Sequence, residues 1–500
     1  MQDKLKQLKN LLAQVMDLTF SVSILDWDQN VYMPSGGAEA RGYCLGTLQT
    51  AAHNILVSDE VQKLLEELIP WSKEQEADSD DVRLIRVTQR MVARHLKIPA
   101  SMVAEKAQIH TLANQVWQKA RMTSDWKLFE PEMNKIVVFA QRFAELFAPY
   151  DHVYDGLLDE YEPGMRTTDV QALFDQIRPE QVALVGAIAK QTKIDNSVLT
   201  QHYPEALQLT AVKEVINRIG YDFRRGRMDR TVHPFMSTLG FGDQRITYRV
   251  NESYFNTLFF ALMHESGHGM YEQGIDASLA RTPLYTGASM ALHESQSRLW
   301  ENLVGRSMPF WQWYYPQLQR LFPTQVGIVD LQTWYRAINK VQPSFIRVEA
   351  DEATYNLHIM LRLEIEIGLL QGTIAVADLP EVWNEMFKSY LGITPPSDDQ
   401  GVLQDVHWSM GLFGYFSTYA LGNLVSAQLW EKINEQLPNL DEQIARGKFD
   451  ELLAWLTKNV YQHGNKFEPQ ELVQRVTGSK IDGKPYINYL NKKFGAIYGL

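Results

Sequence analysis

Apolar residues recur at helical spacing along most of the chain, and strand-like alternation is confined to one stretch. Leu5, Leu8, Leu11 and Leu12 begin an amphipathic run over residues 5–25, and residues 82–147 read as further long helices with charged outer faces. Thr168 caps a run toward residue 193, and Pro204 opens one that stops near Gly220. Between 229 and 250 the period changes. Gln244-Arg245-Ile246-Thr247-Tyr248-Arg249-Val250 alternates and is rich in β-branched residues, with Gly240 and Gly242 as turn signals. Helical periods resume near Ser253 and continue to the end, including 349–370 and 412–433. Glu162-Pro163-Gly164 and Thr394-Pro395-Pro396-Ser397 read as loops, not as linkers between domains. The pattern predicts a mainly α protein with one small β-sheet, without repeats of fixed period.

The most informative residues lie just after the strand-like stretch. Tyr254, Phe255, Leu258, Phe259 and Leu262 predict a helix over 253–273, with Asn251 or Ser253 as N-cap and Gly274 as stop. In its middle stands His264-Glu265-Ser266-Gly267-His268. Residues i and i+4 share a helix face, so both imidazoles can reach one metal ion. Glu265 projects about 100° away, where it is free to act as a general base. Gly267 and Gly269 each cost the helix about 1 kcal/mol relative to alanine, which fits either a substrate passing close by or tight helix packing.

Such a short pattern also arises by accident, so the third ligand matters. Met290, Ser297, Trp300 and Val304 predict a second helix ended by Gly305, after a loop containing Pro283 and Gly287. On it, Glu294 can project back toward the histidines, completing the two-His, one-Glu set of many catalytic zinc sites. His293 is next to it, but neighbouring helix positions diverge too far for both to point at one ion. Thermolysin-like enzymes carry an Asp four residues after the ligand Glu. Here that residue is Arg298, so the groups that orient the histidines must come from elsewhere.

Further motifs extend the pattern on both sides: His233-Pro234-Phe235, Asp243-Gln244-Arg245-Ile246-Thr247, His293-Glu294-Ser295-Gln296, Ile346-Arg347-Val348-Glu349-Ala350-Asp351, and Gly401-Val402-Leu403-Gln404-Asp405-Val406-His407-Trp408. Leu25-Asp26-Trp27-Asp28 and Met33-Pro34 join them near the amino end. Together they resemble the carboxypeptidase Taq family of zinc metallocarboxypeptidases, the thermostable carboxypeptidase 1-like enzymes. The resemblance implies a large helical two-lobed domain with a deep active-site groove, removal of single residues from peptide carboxyl ends, and a homodimer. The motifs cover most of the chain, and if they share one site the chain folds around it as a unit, so residues 1–500 are expected to form a single domain with a zinc-binding core at about 229–310.

The chemistry assigns a part to each group. Zinc held by His264, His268 and Glu294, one ion per chain, activates water and polarises the scissile carbonyl; Co(2+) or Mn(2+) are possible substitutes. Glu265 takes the proton of the attacking water and returns it to the leaving amine. His233, His407, Tyr415 and Tyr419 are candidates to stabilise the oxyanion, and the sequence does not rank them. For the substrate's free carboxylate Arg347 is the first choice, since a guanidinium offers a bidentate fork, and Arg245 the second. Gln404, in the motif that carries His407, is a further substrate-binding candidate. The Arg245 strand is also placed to pair with an extended peptide by edge addition. Two other readings keep the same metal: an oligopeptidase cutting internally, and a non-catalytic zinc protein that binds peptides.

Composition narrows the class further. The 500 residues are 45% hydrophobic, enough for a large core. The net charge of −12 argues against nucleic-acid partners. The one cysteine, Cys44, excludes an intramolecular disulfide and fits a reducing compartment. Neither a signal peptide nor an uninterrupted apolar span stands out, so no membrane association and a cytoplasmic location are the expectation.

Overall fold

The one stretch of alternation folds into a small sheet, and nearly everything around it is helix. The computed structural model describes residues 1–500. The strands are β1 (Met228–Arg230), β2 (Met236–Gly240) and β3 (Asp243–Tyr248), in the order β1-β3-β2. β1 runs parallel to β3 with Met228 opposite Ile246, and β2 runs antiparallel to it. The β2–β3 turn needs positive φ at Gly240 and Gly242, at 147° and 80°, where glycine is strain-free. β3 is therefore the central strand. Its N–H and C=O groups are shared with β1 and β2 on both sides, so the expected edge pairing with a peptide has no free edge at Arg245 to use.

Local chemistry explains where the helices break. Residues 82–147 form three helices, Asp80–Lys97, Ala100–Thr123 and Trp126–Glu145. Pro99 forces Ile98 into an extended conformation, and Ser124 turns left-handed at φ 52°. The candidate metal helix is Asn256–Gln273. It starts later than its cap residues suggest, because the Asn251 side chain accepts from the Ser253 N–H at 2.9 Å and closes a local turn instead. The second helix, Met290–Arg298, opens on Ser289, whose hydroxyl accepts from the Leu292 N–H. It continues through a π-helical turn, Leu299–Val304, up to Gly305.

Two apolar cores result. The larger is built around the fully packed helices Asn256–Gln273, Tyr355–Gln371 and Ser417–Gln436. The smaller joins Leu5, Leu8, Leu12, Leu84 and Val92 of the amino-terminal helices to Ile275, Leu279, Leu284 and Tyr285, in the loop after the candidate metal helix. By length and composition alone, the Gln2–Val31 helix could cross a membrane. In the fold its leucines fill the smaller core, Asp17 pairs with Arg281, and the Trp27 ring lies under the Arg245 guanidinium, 4.4 Å away.

Gly267 decides how closely the two helices approach. A Cβ there would stand 2.6 Å from Ser297 Cα and 2.7 Å from the Gln296 carbonyl oxygen. These are backbone atoms that cannot step aside, so close packing is the reason for this glycine. Gly269 faces the Tyr221 ring at 2.7 Å in the same sense. Gly267→Ala is expected to cost about 1–3 kcal/mol through overpacking. Gly186→Ala, in the exposed face of the Thr167–Ile188 helix with nothing within 4 Å, should be neutral or stabilising by up to about 1 kcal/mol. Thermal unfolding of both variants checks this, and equal midpoints would refute the packing argument.

Candidate metal centre and its surroundings

The close approach at Gly267 brings three ligand atoms together. Glu294 Oε2 lies 3.4 Å from His264 Nε2 and 3.5 Å from His268 Nε2. The three ligand atoms fall within 4.8 Å of one another, a spacing suited to one ion. Gly422 closes the other side, since a Cβ there would meet Glu294 Cγ at 2.7 Å.

The Nδ1 atoms of both rings are held from behind. His264 Nδ1 stands 3.0 Å from Glu301 Oε2, and His268 Nδ1 stands 2.6 Å from His293 Nδ1. Arg298 donates to Glu294 Oε1 at 2.7 Å and reaches Glu301 at 3.3 Å, fixing both carboxylates. The residue that replaces the thermolysin-type Asp thus anchors the ligand Glu, and Glu301 does the orienting. Glu265, buried at 7% exposure, makes no hydrogen bond. Burial pushes its carboxyl up, against the pull of the His264 ring, to about 7.

The two histidines titrate in opposite directions. Burial pulls His264 down, but Glu294 and Glu301 outweigh it and lift the ring to about 10. Burial takes His268, which faces His293, down to about 3. Glu294 is held well below the usual carboxylate range: burial opposes this, and Arg298 with His264 overcomes it. The two-nitrogen, one-oxygen donor set and the close spacing of its atoms fit a divalent metal.

A second buried cluster lies beyond Arg298, whose guanidinium stacks on Tyr355 at 4.3 Å. The Tyr355 hydroxyl accepts from Arg347 Nη1 at 2.9 Å. Arg347 also donates from Nη2 to Asp405 Oδ1 at 2.9 Å, while Arg362 Nε donates to Asp405 Oδ2 at 2.7 Å. Two guanidiniums therefore share one carboxylate. Gln404 accepts from the Arg347 main-chain N–H at 2.8 Å and so holds that loop. Tyr419 covers Arg347 at 4.9 Å and lies 3.2 Å from His407 Nε2, with Tyr415 packed edge-on against it. Burial lowers His407 to about 3, and Arg347 and Arg362 add to this against Asp405.

A model of the carboxypeptidase Taq (M32) metallopeptidase family matches residues 7–494. The chain belongs to that family. It is 38% identical to carboxypeptidase 1 of Bacillus subtilis (strain 168) over 494 residues, 99% of this chain and 98% of the relative. Thermostable carboxypeptidase 1 of Thermus thermophilus is 40% identical over 483 residues, 95% of this chain and 94% of the relative. The crystal structure of the M32 carboxypeptidase from Deinococcus radiodurans R1, 36% identical, superposes over 100% of both chains with a TM-score of 0.96. The protein is a metallocarboxypeptidase, a peptide hydrolase, with the helical fold of its family and a divalent metal implied by that family.

Within this M32 metallocarboxypeptidase the expected site residues divide into three groups. His264, His268 and Glu294 converge on one point, with Glu265 buried next to them. Arg347, Gln404, His407, Tyr415 and Tyr419 share the neighbouring cluster, but the Nε–Nη2 edge of Arg347 is already occupied by Asp405. Arg245 and His233 join neither group. Arg245 is forked onto Asp243 at 2.8 Å, on the side of β3 opposite Ile246, which faces the metal helix. His233 is exposed in the β1–β2 connection and makes no hydrogen bond.

Sequence reasoning missed Glu301, His293, Glu272, Tyr355, Arg362 and the role of Asp405. For Glu301 and Glu272 a signal existed. Glu301 follows Glu294 by seven residues and Glu272 follows His268 by four, so each falls on the same stripe as a ligand. Arg362 and Asp405 are far apart in sequence and carry no such mark. Replacing Asp405 by Ala would leave two buried guanidiniums unpaired, with an expected loss of about 3–5 kcal/mol of stability. Denaturant unfolding measures this, and a loss below about 1 kcal/mol would show that the pair is not the anchor of this cluster.

Proposed function

We propose that this metallocarboxypeptidase uses zinc, one ion per chain, to release single amino acids from peptide carboxyl ends, with Glu265 as general base. The observation that carries the reading is Glu265 itself: a buried carboxylate beside the three-ligand face, without a hydrogen-bond partner. A structural metal site has no use for such a group, whereas hydrolysis needs a base facing the attacking water. His264, His268 and Glu294 would hold the ion, which when bound supplies Lewis-acid activation of water and of the scissile carbonyl. Glu265 accepts the water's proton and carries it to the leaving amine. Two nitrogens and one carboxylate favour zinc, and Co(2+) or Mn(2+) could replace it.

For the substrate's carboxylate we propose the Arg347–Arg362–Asp405 cluster. Two positive charges against one negative leave one uncompensated positive charge in a buried place. Arg347 acts there through this charge and not through a free fork. Tyr415, Tyr419 and His407 line the approach and supply donors for the oxyanion. A homodimer of chains, each with its own site and peptide substrate, completes the proposal.

Glu265→Gln should keep its metal and lose at least 100-fold in turnover. Metal content by mass spectrometry and hydrolysis of a mixed peptide pool read the two separately; full turnover would overturn the mechanism. Peptides should shorten one residue at a time from the carboxyl end, and carboxyl-amidated peptides should resist. Arg347→Met is expected to shrink the preference for free-acid over amidated peptides by about 10-fold or more. An unchanged preference would remove Arg347 from carboxylate recognition.

A further inference from the structure

His293 stands between a metal-ligand candidate and a buried carboxylate, and both of its ring nitrogens are engaged. Nδ1 lies 2.6 Å from His268 Nδ1, and Nε2 lies 3.0 Å from Glu272 Oε1. The ring cannot swing away. Tyr271 packs on it at 5.2 Å between centroids, and any side chain at Gly287 would strike its Cδ2 at 2.7 Å. Glu272, 3% exposed, is fixed in turn by the Gly287 N–H, which donates to the same Oε1 at 3.0 Å.

Two imidazole nitrogens at 2.6 Å must share one proton, and the ligand role decides which ring owns it. His268 has to offer a bare Nε2 to the metal, so a neutral His268 carries its proton on Nδ1. It then donates to His293 Nδ1. The His293 proton is left on Nε2, and it is donated to the Glu272 carboxylate. Every donor has an acceptor in this arrangement, and with His268 Nε2 kept bare no other neutral arrangement achieves that. His264 receives the same service in one step, directly from Glu301.

We infer that His293 and Glu272 are positioning residues, a two-link chain that fixes the tautomer and ring orientation of His268 for metal binding. The inference rests on the reading of His268 as a zinc ligand. It explains why the residue next to Glu294 is a histidine although it cannot itself reach the ion: it turns the helix that supplies the third ligand into a support for the second. Losing such outer partners costs metal sites about 10–100-fold in affinity.

The test compares isosteric replacements in the full-length, zinc-loaded enzyme, with zinc affinity measured by competition against a chelator. His293→Asn places an amide oxygen where Nδ1 stood and can still accept from His268; His293→Leu has the same shape and cannot. The leucine variant is expected to bind zinc about 10–100-fold more weakly, and the asparagine variant to stay within a few-fold of wild type. Thermal midpoints of the metal-stripped proteins should fall alike, since both lose the same packing. Equal zinc affinity in the two variants would overturn the inference. Should His293→Leu fail to fold, Glu272→Leu against Glu272→Gln poses the same contrast one link further out, and equal affinity there would overturn it as well. Wild-type enzyme that takes up no zinc would sink the metal reading itself, a result distinct from zinc binding that ignores residue 293.

Discussion

The structure of the active region depends on two main chains coming nearly into contact. Where Gly267 meets Ser297 and Gln296, the helices Asn256–Gln273 and Met290–Arg298 approach more closely than any side chain permits. That approach lets a glutamate on one helix reach two histidines on the other. Ligand spacing is therefore set by backbone contact, not by long side chains finding one another. Gly422 does the same for the Ser417–Gln436 helix behind Glu294. Three helices meet here: Gly267 lets one approach the Ser297 and Gln296 backbone, and Gly422 lets another approach the Glu294 side chain.

Around this crossing the protein buries several charged groups, most of them in contact with an opposite charge. Glu294 and Glu301 face Arg298, Asp405 faces Arg347 and Arg362, and the Tyr355 ring separates the two groups. Buried ion pairs contribute little net stability, because desolvation consumes most of the attraction, but removing one partner is costly. Their effect here is to fix orientation. Arg298 and Arg347 are each tied to a carboxylate while an aromatic ring rests on them, Tyr355 on the first and Tyr419 on the second. Glu265 is a buried carboxylate left without a hydrogen-bond partner.

Much of this could be read from the chain. The grouping of the two histidines with Glu265 and Glu294 follows from helical geometry, and the change of period at 229–250 located the sheet. Helix ends were less legible, because Asn251 has a choice between capping a helix and closing its own turn, and it closes the turn. The centrality of β3 was not legible either: β1 is only three residues long and leaves too weak a pattern to show that the strand has a neighbour on that side. Arginine roles were least accessible. The sequence ranks Arg347 ahead of Arg245 as a carboxylate binder, and only the fold shows that Asp405 and Asp243 already meet them. Such partners are set by long-range packing, which no local period encodes.

The smaller core has a consequence for how the molecule holds its metal face together. It is made of amino-terminal leucines and of the loop 275–285, and that loop is the covalent bridge between the helix of His268 and the helix of Glu294. The amino-terminal helices thus pack directly on the segment that joins the two candidate ligand helices, so the start of the chain braces the candidate metal face from outside it.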